Sequence, residues 1–561
     1  MQTVCQNQWC KQQFEVTDDD LAFYEKVSPE FSGKKYTIPP PTLCPDCRSR
    51  RRMAWRNERF LSLRPCGLCH KTKVSMFAPD APYHAYCSDC FYGDRWDPLS
   101  YGRDYDFSKS FHTNIEGLLS DVPLMMLYQA GVNENCDFTN YFGPESRNCY
   151  LMYNSGRDED CCYSRGLIES KSCIDMLIGN GNQFCYECVN ASDCYHTSFS
   201  QNVAQCVESA FLFNCRHCTH CFGCTNLVQK EYYLFNKPCT PAEFESEMSQ
   251  LSSASFVADM RTKLSDLRLR CIHRENNNVN IEHCTGDYLI NSKNCIDCYE
   301  SKGSEDCKRI LCSKLVKDSH DLFGFGYDSQ LLYDCVGTGL STSVAFTWIC
   351  TSTSNLYYSL HCDNIHNCFG CISVRLKQYC ILNKQYTKEE YEALVGKIIT
   401  AMSAAGEWGE WLPWHMSPFA YNETVAQEFL PLKKQEATVM GFRWNETALP
   451  PPVANKTIRG SSLPDTIEEI PDDVLEWAIV CENTAKPFKL TKQELDFYRA
   501  RHLPVPRLHP DERHKRRMAL RNPCKLWKRE CMKCRKPIET SYSPDRPEIV
   551  YCERCYLETV Y

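Results

Sequence analysis

The residues best able to do chemistry are cysteines that come in pairs. Cys5 and Cys10 are followed by Cys44-Pro-Asp-Cys47, Cys66-Gly-Leu-Cys69 and Cys87-Ser-Asp-Cys90, and the far end carries Cys531-Met-Lys-Cys534 and Cys552-Glu-Arg-Cys555. Two thiolates on one knuckle facing two on another suit a tetrahedral Zn²⁺ ion. The spacing assigns Cys5, Cys10, Cys44 and Cys47 to one site and Cys66, Cys69, Cys87 and Cys90 to a second. Cys531, Cys534, Cys552 and Cys555 make a third. In the second and third sites 17 residues separate the pairs, inside the zinc-ribbon range. About three Zn²⁺ per chain are therefore expected, in closed sites with no open coordination position and hence a structural role.

These knuckles need short helices beside them, and the chain writes the same helix twice. "RSRRRMAWRN" starts at Arg48 and "RHKRRMALRN" at Arg513. Arg48, Arg52 and Arg56 fall on one helical face, as do Arg513, Arg517 and Arg521. Upstream, "FEVTDDDLAFY" (Phe14 to Tyr24) aligns with "FKLTKQELDFY" (Phe488 to Tyr498), each opening a helix. Thr491 with Glu494 is a capping box, and Thr17 with Asp20 is its weaker relative. Residues 1–92 thus recur as 479–561. In the second copy His509 and Glu512 stand where Cys44 and Cys47 do, and Thr484 replaces a knuckle cysteine beside Cys481. Cys481, His509 and Glu512 form a degenerate metal set, which this reading expects to be empty.

Cys10, Phe14, Phe23, Tyr24, Cys44, Pro45, Asp46, Cys47 and Arg48 carry a knuckle, a Phe four residues on, an "FY" helix and a "CPDCR" helix start. This resembles a family of treble-clef zinc-binding domains, over about 45 residues at each end. The first knuckle departs from the pattern, with four residues between Cys5 and Cys10 where the family has two. The resemblance implies zinc binding and a fold, not a reaction. The whole layout also looks like Cys-rich bacterial zinc-ribbon proteins, which adds no function.

The middle of the chain is duplicated as well. "HCFGCTNLVQKEYYLFNKPCTPAEF" from His220 matches "NCFGCISVRLKQYCILNKQYTKEEY" from Asn367, and Cys188, Cys215, Cys221 and Cys224 align with Cys335, Cys362, Cys368 and Cys371. Cys149 and Cys161 align with Cys295 and Cys307 after one gap. Cysteine recurs every 9 to 13 residues among Ser, Asn, Asp and short aromatic patches. Short strands at that spacing predict an all-β repeat. The fold class expected is mainly β and multidomain, with two Cys-rich parallel β-solenoid modules of about 21–25 residues per turn. Stacked apolar cysteines would form the core, and a Ser there is expected to cost about 1–3 kcal/mol. Helices at Thr240 and Thr387 should cap the modules. The competing reading of "CRHCTHCFGC" is an iron–sulfur run from Cys215 to Cys224. Extra zinc at Cys185/Cys188 or Cys295/Cys298 is a further alternative.

The expected domains are a tandem zinc domain at 1–92, repeat modules at 133–260 and 281–402, a Trp/Pro-rich connector at 403–478 and a second zinc domain at 479–561. Trp408, Trp411 and Trp414 should pack on a repeat module, and the Pro run at 450–452 should act as a linker.

Forty cysteines without a visible signal peptide or an apolar run of membrane-spanning length point to a cytoplasmic protein holding metal and thiols rather than disulfides. No P-loop, dinucleotide-binding glycines, Gly-x-Ser-x-Gly elbow or His-Glu-x-x-His is present, so no enzyme, small-molecule substrate or membrane partner is expected. The net charge of −8 confines any nucleic-acid contact to a region. From Arg499 to Lys536 there are 14 Lys/Arg against three Asp/Glu, a local excess of 11 that leaves −19 on the rest of the chain. Two functions follow. Either Arg48, Arg52, Arg56, Arg513, Arg517 and Arg521 bind nucleic acid, RNA foremost, on a zinc-stabilised scaffold, or the chain is a protein–protein adaptor whose arginines meet acidic surfaces.

Overall fold

The computed structural model describes residues 1–447 and 451–560. Strands dominate, spread over many sheets, and the described chain divides into two compact units. The first unit comprises Met1–Leu127, Asn276–Glu446 and Cys524–Leu526; the second comprises Tyr128–Glu275, Thr447–Pro523 and Trp527–Tyr561. Each unit therefore joins one zinc-type domain to the repeat domain that is remote from it in sequence.

Both repeat domains are built on parallel pairing. In the first, Arg165, Leu177, Val189 and Gln201 are successive ladder partners. In the second, one sheet of eleven strands runs from Val279–Glu282 to Lys384–Gln385. The step between partners is twelve residues through most of these ladders, eleven where Val279 meets Ile290 and thirteen where Val316 meets Ser329. The ladders thus step at about half the 21–25 residues expected of one turn. The 9-to-13-residue recurrence of cysteine matches one such step, not half of one.

The short turn follows from a three-residue rhythm. Asn148, Leu151, Asn154, Arg157 and Asp160 all have φ between 52° and 56°, in the left-handed region, and the series continues at every third residue. Asn and Asp enter that region at the least cost among residues with a Cβ, which accounts for their abundance here. The residue after each corner is buried: Cys149, Met152, Ser155, Asp158, Cys161, Ser164 and Leu167 are all 2% exposed or less. Cys215, Cys218, Cys221 and Cys224 are four such positions in a row, all buried. Their spacing is the period of the fold and needs no iron to account for it. They are not among the described groups whose ligand atoms close to within 4.8 Å, nor are Cys185/Cys188 and Cys295/Cys298.

These interior thiols also have hydrogen-bond partners. Cys161 Sγ donates to Glu159 O at 3.3 Å and Ser170 O at 3.5 Å, and Cys173 Sγ to Lys171 O at 3.3 Å and Asn182 O at 3.5 Å. Thr197 Oγ1 makes the same pair of bonds, to Tyr195 O and Cys206 O. The reading of cysteine as a purely apolar filler is corrected accordingly, because the interior position selects a small side chain with one proton to donate. Cys173→Ser should then change stability by less than about 1 kcal/mol, whereas Cys173→Ala, which leaves a void and donates nothing, should cost about 1–3 kcal/mol. Urea melts of both variants test this, and a Ser variant as damaged as the Ala variant would sink it.

Each repeat domain ends in a helix opened by a capping box, Pro241–Ser249 after Thr240 and Lys388–Ala405 after Thr387. In the first unit Trp408 packs on Tyr358 and Phe369 of the repeat, as expected, whereas Trp411 meets Trp55 of the zinc-type domain. Trp414 packs on Phe442 instead. The Pro run begins at Pro450, outside the described residues, while Pro451 and Pro452 have no regular structure.

Candidate metal centres and the buried arginine helices

The three predicted four-Cys sets assemble. In each of Cys5/Cys10/Cys44/Cys47, Cys66/Cys69/Cys87/Cys90 and Cys531/Cys534/Cys552/Cys555 the sulfurs all lie within 4.8 Å of one another. Sulfur pairs at 3.7 Å (Cys10–Cys44), 3.9 Å (Cys69–Cys87) and 3.7 Å (Cys534–Cys552) match the edge of about 3.8 Å that a tetrahedron with 2.3 Å metal–sulfur bonds requires. Each set can hold a metal ion. Short hairpins present the knuckles, such as Ser62–Pro65 paired with Thr72–Ser75 and Trp527–Glu530 paired with Pro537–Thr540. The second knuckle of each set starts a helix, with Cys44 as N-cap of Pro45–Met53 and Cys87 as N-cap of Ser88–Phe91.

One thiol of each set is held low, while burial and the neighbouring sulfurs raise others. Burial would raise the Cys66 thiol, but backbone N–H groups of Cys69, Cys87 and Leu68 lower it to about 6. Cys531 is lowered to about 6 in the same way, by N–H groups of Cys534, Cys552 and Lys533. Two side chains that sequence reasoning missed also donate to sulfur: Asn7 Nδ2 to Cys47 at 3.3 Å and Arg95 Nη2 to Cys90 at 3.0 Å. Neither has a spacing signal that would have marked it.

Cys481, His509 and Glu512 do not form a ligand group among the described residues. His509 is instead the N-cap of its helix, with Nδ1 accepting from Asp511 N at 3.2 Å, and Glu512 faces Lys515. Cys481 is buried, its thiol lowered by N–H groups of His509, Thr484 and Asn483 and by the Thr484 hydroxyl despite the opposing effect of burial.

The arginine helices form as expected, at Pro45–Met53 and Pro510–Ala519. Their exposure does not. Arg48, Arg52, Arg56, Arg513 and Arg517 are each 2% exposed or less. Arg48 Nη2 lies 2.9 Å from Asp321, and Arg52 bridges Asp321 at 3.3 Å and Asp334 at 2.8 Å. Arg51 joins Asp334 to Glu410, at 2.8 and 2.9 Å. Arg56 pairs with Glu58 at 2.7 Å. In the other unit Arg513 and Arg517 share Asp175 at 2.5 and 2.8 Å, Arg513 also reaches Glu494 at 3.3 Å, and Arg516 pairs with Glu187. Arg521 is half-buried, near Met518. Five of the six residues expected on a phosphate-binding face thus have their charged groups inside the protein, against its own carboxylates.

The carboxylates are themselves duplicated. Asp175 and Glu187 stand where Asp321 and Asp334 stand in the second repeat, each at a left-handed corner one turn apart. The alignment that set Cys188 on Cys335 also sets Glu187 on Asp334, so this signal was present in the sequence. Burial would raise the Asp321 carboxyl, but Arg48, Arg309 and Arg52 hold it well below the usual carboxylate range. Asp20 of the Thr17 capping box meets Lys308 and Arg309 and is likewise held low by them against burial. Its counterpart Glu494 takes the Tyr163 hydroxyl at 2.6 Å, and burial raises it.

No helix among the described residues is long and apolar enough to cross a membrane. No protein-family model matches the chain, and no curated protein is similar to it. Among solved structures, one described as an acetyltransferase from Desulfovibrio desulfuricans G20 shares 9% identity over 48% of this chain and 70% of that one. Its TM-score is 0.11, too low to carry a statement about fold or activity.

Proposed function

We propose that the protein is a non-catalytic, zinc-stabilised scaffold that works as a protein–protein adaptor. In this reading the repeat domains are four-sided β-solenoids of twelve residues per turn. The flanking domains are treble-clef and ribbon modules that each hold Zn²⁺, three per chain, and clamp a solenoid through the arginine helix. The observation that carries the reading is the burial of both arginine stripes against carboxylates at equivalent positions of the two repeats. A face kept to meet RNA would leave its guanidinium groups in water, since phosphate contact requires access.

The test compares fold with nucleic-acid binding. Arg52→Glu and Arg517→Glu should each lower the melting temperature by several degrees, and the wild-type protein should show no saturable binding to a fluorescent single-stranded RNA at 0.15 M salt. Saturable RNA binding that Arg52→Ala abolishes at an unchanged melting temperature would overturn the proposal.

A further inference from the structure

We propose that a half-open cavity in the second unit, lined by residues of Ala254–Arg261, Pro504–Leu508 and the helix Pro510–Ala519, binds a small oxyanion, a carboxylate or a phosphate, in the place that Glu410 fills in the first unit. The argument starts from the duplication. In the first unit Glu410 Oε2 accepts from Arg51 at 2.9 Å, while Oε1 accepts from Thr42 N and Thr42 Oγ1, both at 2.7 Å. Arg51 and Thr42 align with Arg516 and Arg507. Arg516 and Arg507 line a cavity of about 230 Å³.

The walls have changed sign along with the vacancy. Four arginines line the cavity, Arg261, Arg507, Arg513 and Arg516, against one glutamate, Glu482. Arg261 comes from the helix Ala254–Arg270, packs over the Phe199 ring at 4.7 Å, and shares Glu187 with Arg516. Glu187 is thus already divided between two cations. Arg507 reaches Asp465 only at 3.5 Å, and Asp175 and Glu494 are engaged by Arg513. The Nε atoms of Arg507 and Arg513 are buried and make no hydrogen bond. Burial depresses both Arg261 and Arg516 from the ordinary arginine range, and the nearby Arg516 depresses Arg261 further. Guanidinium groups are the preferred donors to planar carboxylate and to phosphate. The volume is several times the ~30 Å³ of a water molecule, enough for a small organic acid or a phosphate.

This inference does not rest on the scaffold reading. Isothermal titration of the full zinc-loaded chain, at constant ionic strength, with sodium phosphate in one arm and sodium succinate in the other, tests it. One saturable site is expected, and the arm that shows it identifies the source of the oxyanion. Arg261→Gln should weaken binding by about tenfold or more, as expected for the loss of one charge-assisted hydrogen bond. Ala258→Glu, on the same wall, should abolish binding by supplying an internal carboxylate while the zinc content stays unchanged. If neither anion gives a saturable signal, or if Arg261→Gln and Arg507→Gln both bind as wild type does, the proposal is overturned.

Discussion

Replacing Asp321 by Ala is expected to destabilise the first unit by about 3–5 kcal/mol, the usual cost of leaving a buried charge without its partner. One carboxylate here serves Arg48, Arg52 and Arg309, and none of the four side chains is more than 10% exposed. Removing it leaves three guanidiniums competing for Asp334 and Asp20. Asp318, three residues away, makes an ion pair of similar length with Lys26, 2.6 Å, but with side chains 34% and 52% exposed. Its replacement by Ala should cost under about 1 kcal/mol, as surface pairs do. Because the folded carboxyl sits below its unfolded value of about 3.9, its stabilising effect is complete above that value and is lost only as pH falls through the folded value. The difference between wild type and Asp321→Ala should therefore be constant between pH 5 and 8. Guanidinium melts followed by calorimetry decide the matter, and a loss below about 1 kcal/mol would refute the clamp.

A strong chelator is expected to have a larger effect still. Structural zinc contributes on the order of 10 kcal/mol to small modules, which are unfolded without it. Elemental analysis of untreated protein should find about three zinc ions per chain, and Cys531→Ser should remove one of them. The consequence reaches beyond the knuckles because Cys44 is the N-cap of the arginine helix. Losing the first centre should release Arg48 and Arg52 and so unsettle the second repeat as well. Hydrogen exchange after chelation should show new opening near Asp321 and Asp334. One zinc ion or none would overturn the ligand pairing, and unchanged exchange there would separate the metal from the clamp.

Much of this was legible in the sequence, and the reasons are local. The four-Cys sets announce themselves because a knuckle needs two thiolates at fixed spacing, and the twelve cysteines fall into the three groups expected. Capping boxes at Thr17, Thr240, Thr387 and Thr491 depend on four adjacent residues and were equally visible. The turn length was misread because the interior position accepts Cys, Ser, Met, Asp and Leu alike. Two cysteine intervals were taken for one repeat, whereas the ladders step by a single interval and the left-handed corners recur at every third residue. The arginine stripes were read as a face toward solvent because a helix of Arg on its own has no counter-charge in view. Asp321 lies 269 residues from Arg52, and nothing in the local pattern points to it.

That separation has a consequence for synthesis. At ~5–20 residues per second, the Arg helix of the first module leaves the ribosome on the order of 10–50 s before its carboxylates are made. Over that interval the newborn chain carries an uncompensated cationic helix. The last module meets the opposite circumstance, since Asp175 and Glu187 precede Arg513 and Arg516 and are already synthesised when it emerges. Two halves with matching final geometry thus have unlike histories, the cations made first in one and the carboxylates first in the other.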